Sequence, residues 1–362
     1  MEICVTDYGV RPDSDPLMDP AVNRAGLQAA ADALPSGQGA IRVPYGTFPF
    51  AGAAISLQPN TVVYGVDRRH SALLQQASDQ EVFTVNVGNP VDKASLTLRQ
   101  LLLLHRDPGG SAPIIRIERV SLVEIDRCQV KHGAFGLHLT GGMNSLVTDC
   151  IFNEQQGPGV PYSAGVYANG VRRLQVTACL ATEQGPGAMG FMLHECADAD
   201  LTQCLATDTY DNSGFKVSGG AAGSVSFHGC QAINCGINGH GPADGFEAQT
   251  AQHVQFDACR AVENGRHGFY ARNAAWLSYA GCLAVSNGRW AAGNGLYLLH
   301  TTDVSVIGCQ ATDRHTPPTQ QIGVEGVGTT DRMLVVGTHL RGNATASLML
   351  CGSASVGADN LT

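Results

Sequence analysis

Lys216, Glu247 and Tyr270 each stand third in a tetrapeptide of one form: Gly214-Phe-Lys-Val217, Gly245-Phe-Glu-Ala248 and Gly268-Phe-Tyr-Ala271. A cation, a carboxylate and a phenol on one surface can remove a proton from a carbon beside a carboxylate. The cation neutralises the substrate carboxylate, and hydrogen-bond donors stabilise the enolate that forms. In a uronate that carbon is C5. Lys216, Arg266 or Arg272 would meet the carboxylate, with Tyr270 and His240 as base and acid and pKa values tuned by burial and cationic neighbours. Glu247 completes the catalytic candidates. Returning the proton on the opposite face gives an epimerase; expelling the C4 substituent gives a lyase.

The same tetrapeptide pattern recurs at residues 136, 165, 190, 295 and 323, and its recurrence says what positions these groups. Cysteines mark the register at 128, 150, 179, 204, 230, 259, 282 and 309, separated by 22, 29, 25, 26, 29, 23 and 27 residues. Leu102 and Thr338 extend that ladder at its two ends. A period of this kind predicts a solenoid whose coils stack. Side chains alternate between faces along a strand, so the apolar second and fourth residues point inward and the third points out. The outward row is then His138, Tyr167, Met192, Lys216, Glu247, Tyr270, Tyr297 and Glu325, one rung apart. His194 and Arg272 fall on the next outward row. Arg266 and His267 precede the Tyr270 strand, and Asp211 and Asp244 lie in adjoining turns. With Met192 and the tyrosines, these are the expected substrate-binding residues. Lys216 and Glu247 on neighbouring rungs can equally form an ion pair that holds two strands together.

Composition narrows the function further. The chain has 362 residues, a formal net charge of −9, 44 glycines and 15% charged residues. That balance argues against nucleic acid or an anionic membrane as a partner. No apolar run is long enough to span a bilayer, and the N-terminus lacks the features of a secretory signal, so a cytoplasmic location is expected. Eight of the twelve cysteines occupy one position per repeat, which predicts a ladder of small buried thiols. No CxxC pair is present, so no metal site and no cofactor are expected. The expected partner is an oligosaccharide or small-molecule substrate. The oligomeric state is left open.

Taken in order, Val5-Thr-Asp-Tyr-Gly9 reads as a strand, and Asp19-Pro20 as the cap of a helix over Ala21–Leu34. Ala40–Phe48 returns to strand and turn. A single domain is predicted over 1–362: a cap and first strands over 1–50, coils over 51–350 and a C-terminal end over 351–362. The opening segments Val5–Gly9, Gly26–Ala33 and Ile41–Phe48 resemble those of pectate-lyase-like right-handed β-helix proteins. The resemblance implies an all-β, single-stranded right-handed parallel β-helix with an N-terminal helical cap, and a lyase or epimerase acting on an acidic sugar or polyuronate in an external groove. The Asp-Pro-His signature of alginate epimerases is absent.

Three other readings stand beside that one. An intracellular isomerase or cyclase of a small, partly apolar metabolite fits the missing export signal, the free thiols and the methionines among the tyrosines. A glycoside hydrolase would need two carboxyl groups about 5–9 Å apart, whereas Glu247 and Glu325 are three rungs, roughly 14 Å, apart. The fourth is a non-catalytic carbohydrate-binding or tailspike-like protein.

Overall fold

The computed structural model describes residues 1–35, 38–87, 94–156, 163–220, 223–236, 243–352 and 355–361. The chain divides into two compact units, Met1–Ala188 and Met189–Thr362. Each is a stack of coils whose strands form three parallel sheets, one strand of each sheet per coil.

The first unit opens with the strand Glu2–Cys4, and Val5–Tyr8 is a 3-10 turn rather than the predicted strand. The Asp7 carboxylate accepts the Cys4 N–H, and Gly9 follows at φ +77°. A local side-chain bond thus ends the strand early. The helix forms as Pro20–Asp32, with the Asp19 carboxylate accepting the Ala21 N–H at 2.8 Å. Its buried side carries Asn23, Leu27, Ala30 and Ala31, and it packs against the strands Gly46–Phe50 and Ile55–Ser56. This covers strands that would otherwise offer an open edge.

The cysteine ladder forms as expected within each unit. Cys128, Cys150 and Cys179 are buried free thiols in the first, and Cys204, Cys230, Cys259, Cys282 and Cys309 in the second. Cys282 donates its thiol proton to the Phe256 carbonyl at 3.2 Å, and Cys309 to Tyr279 at 3.4 Å, each one coil back. Burial raises the Cys128 pKa, so the neutral thiol is the form present. The early rung is Leu101, not Leu102, because Gln129 pairs with Leu102. Thr338 takes the late rung as predicted, with Gln310 opposite His339.

The residue before each ladder position is left-handed, as at Arg127 (φ +50°), Ala178 (+53°) and Ala258 (+51°). A side chain there costs about 1–2 kcal/mol. The turned N–H still reaches the next coil, Ala258 to the Ala280 carbonyl at 2.9 Å, and so keeps the ladder intact around the corner. Left-handed residues at Glu263 (φ +55°) and Ser286 (+54°) precede the first two members of a largely buried column of amides in the second unit. Asn264 Nδ2 donates to Asn287 Oδ1 (2.9 Å), Asn287 Nδ2 to Gln320 Oε1 (3.1 Å) and Gln320 Nε2 to Asn343 Oδ1 (2.7 Å). Buried amides require such partners. The repeat glycine sits beside this column. A Cβ at Gly245 would lie 2.7 Å from the Gly268 carbonyl and 2.8 Å from Asn264 Nδ2.

Inside the second unit, Phe191, Phe215, Phe246 and Phe269 stack at 4.7–4.9 Å between ring centroids. These are the second residues of the tetrapeptides. Each ring fully buried contributes about 1.5–3 kcal/mol, and their alternation fixes the outward row one residue further on.

A cleft on the outer face of the second unit

Strand pairing confirms the predicted rungs. Met192 pairs with Lys216, Lys216 with Glu247, Glu247 with Tyr270, Tyr270 with Tyr297 and Tyr297 with Glu325. In the first unit His138 pairs with Tyr167. Alternation decides which face a residue takes but not whether that face is open. Met192 shows the difference: it lies on the outer row and is only 5% exposed, so it does not line an open groove as predicted.

Lys216 and Glu247 form an ion pair at 3.0 Å, with side chains 12% and 11% exposed, and Ser213 Oγ donates to Glu247 at 3.0 Å. Neither is among the described residues that line the cleft. Removing one partner of such a pair leaves a shielded charge unmatched. Lys216→Met is therefore expected to lower stability by about 1–3 kcal/mol, and Lys216→Met with Glu247→Leu to recover most of it in urea unfolding. Turnover lost with stability intact would instead return Lys216 to the chemistry.

The cleft lies further along the same sheet. It has a volume of about 530 Å³, and its chemistry comes from Arg266, His267, Tyr270, Tyr297 and Glu325. Asn294, Gln321 and Thr345 add polar groups, and Ala292, Leu299 and Ile322 an apolar side. His240 lies outside the described residues. Arg272 is exposed and Asp211 partly exposed; neither lines the cleft. His194 bonds Ser218 at 3.0 Å.

Asp244, predicted in a loop that meets substrate, is fully buried and serves Arg266 instead. Arg266 donates from Nε to Oδ1 (2.9 Å) and from Nη2 to Oδ2 (2.6 Å). Burial raises the Asp244 pKa against the opposing pull of this guanidinium. Burial also works against the Arg266 charge, but the Asp244 bonds outweigh it and leave the Arg266 pKa raised. The guanidinium carbon sits 4.7 Å from the Tyr270 ring centroid, a cation over an aromatic face. Its bidentate bond occupies Nε and Nη2, and among the described residues Nη1 has no acceptor.

In the second unit the residues before Gly245, Gly268 and Gly295 form a polar column. The Asp244 carboxylate accepts the His267 N–H (3.0 Å), His267 Nδ1 accepts the Asn294 N–H (2.9 Å), and Asn294 Oδ1 accepts the Ile322 N–H (3.2 Å). This column sets the histidine tautomer. With Nδ1 receiving a proton donor, the neutral ring carries its own proton on Nε2. Burial, aided by the Arg266 charge, holds the His267 pKa well below the usual value, so the ring is neutral. It stacks on Tyr297 at 4.5 Å and 2°, and on Tyr270 at 5.6 Å. Burial raises both tyrosines, with the Glu325 charge adding to it at Tyr297, so both phenols keep their protons. Asn294 Nδ2 donates to a Glu325 carboxylate oxygen at 2.5 Å and fixes that side chain.

The first unit holds a smaller group of the same kind. His138 packs against Tyr167 with ring centroids 4.9 Å apart and tilted by 52°, and burial, then the Arg116 charge, lowers its pKa to about 4. Arg116 there is occupied by Glu81 at 2.7 Å. Among the described residues no three His, Cys, Asp or Glu side chains are placed to hold a metal ion.

The model of the right-handed β-helix region matches residues 109–243. No curated protein matches the sequence as a relative. Among solved structures the chain is similar to the A-module of the mannuronan C-5 epimerase AlgE6 of Azotobacter vinelandii, at 17% identity and a TM-score of 0.80, covering 99% of this chain and 98% of that one. It is also similar to a tailspike protein of bacteriophage CBA120, at 14% identity and 0.72, covering 99% and 60%. An alpha-1,3-glucanase catalytic unit from Streptomyces thermodiastaticus matches at 15% and 0.66, covering 99% and 68%. At these identities the likeness establishes architecture. With the three parallel sheets and the matched region, it establishes that the chain adopts the right-handed parallel β-helix fold.

Proposed function

We propose that the protein is an enzyme that binds an acidic saccharide in this cleft and transfers a proton at the carbon beside the carboxylate, as a C5-epimerase or a lyase. The observation that carries this reading is one cluster lining the cleft: Arg266 held by Asp244, His267 with its proton on Nε2, and the protonated phenol of Tyr270. Arg266 neutralises the substrate carboxylate and so makes the adjacent C–H acidic. Glu325, the one carboxylate among the described lining residues, accepts that proton while Asn294 holds it in place. The negative charge then moves onto the substrate carboxylate oxygens, where the His267 and Tyr270 donors meet it. Donation from Tyr270 to the other face of the carbon gives the epimer. Loss of the C4–O bond, with the Tyr270 phenol giving its proton to the leaving oxygen, gives the unsaturated lyase product. A single carboxylate among the described lining residues is a poor fit to the two that glycoside hydrolysis uses. The similar mannuronan C-5 epimerase is consistent with this choice.

Incubation with polymannuronate and polygalacturonate in D₂O tests it. Deuterium at C5 without chain cleavage is the epimerase result, and absorbance of a 4,5-unsaturated uronate is the lyase result. New reducing ends with neither signal would show hydrolysis and sink the proposal.

A further inference from the structure

We infer that Trp290 forms an outer aromatic platform for a second sugar ring, so that the cleft takes an extended acidic saccharide rather than a monosaccharide or a compact metabolite. This inference rests on the reading just given. Trp290 is 53% exposed, so its indole is not part of the core. The backbone that carries it is nonetheless held firmly. Gly288 and Arg289 donate to the Asn264 carbonyl, and Trp290 and Ala291 donate to the Gly265 carbonyl, at 3.0–3.3 Å. Gln321 donates to the Gly293 carbonyl at 2.7 Å, closing the far end. A Cβ on Gly293 would lie 1.9 Å from the Arg266 carbonyl oxygen, so the segment lies directly on the backbone of the cleft arginine.

Ala292 lines the cleft, and two residues of chain span at most about 7 Å, so the Trp290 backbone lies within that distance of the lining, with the indole itself outside the inner cleft. A large aromatic face held by a pinned backbone offers apolar area at small entropic cost, a property suited to the C–H face of a pyranose ring. The charge alongside fits an acidic sugar. The Arg289 guanidinium carbon lies 5.5 Å from the Trp290 ring centroid, and its Nη1 is oriented by Asn234 Oδ1 at 2.5 Å and Glu263 at 3.6 Å. The inner cleft supplies Tyr270 and Tyr297 for one ring, and Trp290 with Arg289 receives the next.

The chain has two tryptophans, Trp276 and Trp290, so a Trp276→Phe background isolates the Trp290 fluorescence. Titration uses mannuronate and galacturonate oligomers of one to six residues, with calorimetry as an independent measure of binding. The expected result is that longer oligomers change Trp290 emission and monosaccharides do not. Trp290→Ala should weaken binding of the longer oligomers at least tenfold and that of the monosaccharide less than twofold. Calorimetric binding of long oligomers with no emission change, or an equal loss for short and long ligands, overturns the platform and leaves the proposed function standing. Absence of calorimetric binding for every oligomer overturns both.

Discussion

Replacing Arg266 with methionine is expected to cost about 3–5 kcal/mol of folding stability and to abolish turnover. The stability term comes from Asp244. Its carboxylate is fully buried, and without the bidentate guanidinium it becomes an uncompensated buried charge. The accompanying variant is Asp244→Asn, which removes the charge and keeps an oxygen for the His267 N–H. The pair Arg266→Met with Asp244→Asn should recover at least half of the loss in urea unfolding and none of the activity, because no cation remains for the substrate carboxylate. The pH dependence has a definite sign. Burial raises the Asp244 pKa, and losing Arg266 raises it further. A carboxyl with a raised folded-state pKa favours the folded state when protonated and opposes it as pH rises through that pKa. The penalty in Arg266→Met is therefore largest near neutrality and shrinks on acidification. Wild-type kcat/KM in the double variant would remove Arg266 from the site.

Replacing His267 with phenylalanine is expected to lower kcat by about 10²–10³-fold, the range for removing one hydrogen-bond donor to a developing oxyanion, with a smaller change in KM. Phenylalanine preserves an aromatic ring against Tyr297, now stacked at 4.5 Å. It removes Nε2–H and also the Nδ1 acceptor of the Asn294 N–H, which adds a stability cost of about 1–3 kcal/mol. The pH profile separates the two effects. Because burial and Arg266 hold the ring neutral well below its ordinary range, the wild-type profile should show no histidine inflection near pH ~6.5. An inflection there that vanishes in His267→Phe would mean that the ring acts as an imidazolium. Unchanged kcat would remove it from the chemistry altogether.

The predicted residues fared unequally, and the reason lies in what each depends on. Tyr270, Tyr297 and Glu325 follow from strand alternation, and the structure places all three in the cleft. Lys216 and Glu247 follow from the same rule and occupy the predicted rungs, but they bind each other at 3.0 Å. Asp244 was expected to reach substrate, and its burial beneath Arg266 follows from its place before the repeat glycine. That place was the unused signal. Ser213, Asp244, His267, Asn294 and Ile322 all precede a tetrapeptide, and reading the repeat one residue earlier would have exposed the column that orients His267. Asn294, Gln321 and Thr345 carried no signal of their own, since isolated polar residues in turns of a glycine-rich chain are ordinary.

Taken alone, the sequence determined the coils, their interior and the row that faces outward. Those properties arise from a period of about 26 residues and a two-residue alternation, both local, so each coil repeats them independently of its neighbours. Even there a local contest went unread, as at Val5–Tyr8, where one aspartate bond replaced strand with turn. The tertiary structure decided which stretch of the outer row opens into a cleft and which closes into an ion pair. It also decided where the proton sits on His267. Each of these depends on groups 22 to 31 residues away along the chain and one coil away in space, such as Asp244 beneath Arg266, Asn294 against His267 and Glu325 against Asn294. Turns of unequal length bring those groups together, and no periodic rule governs them.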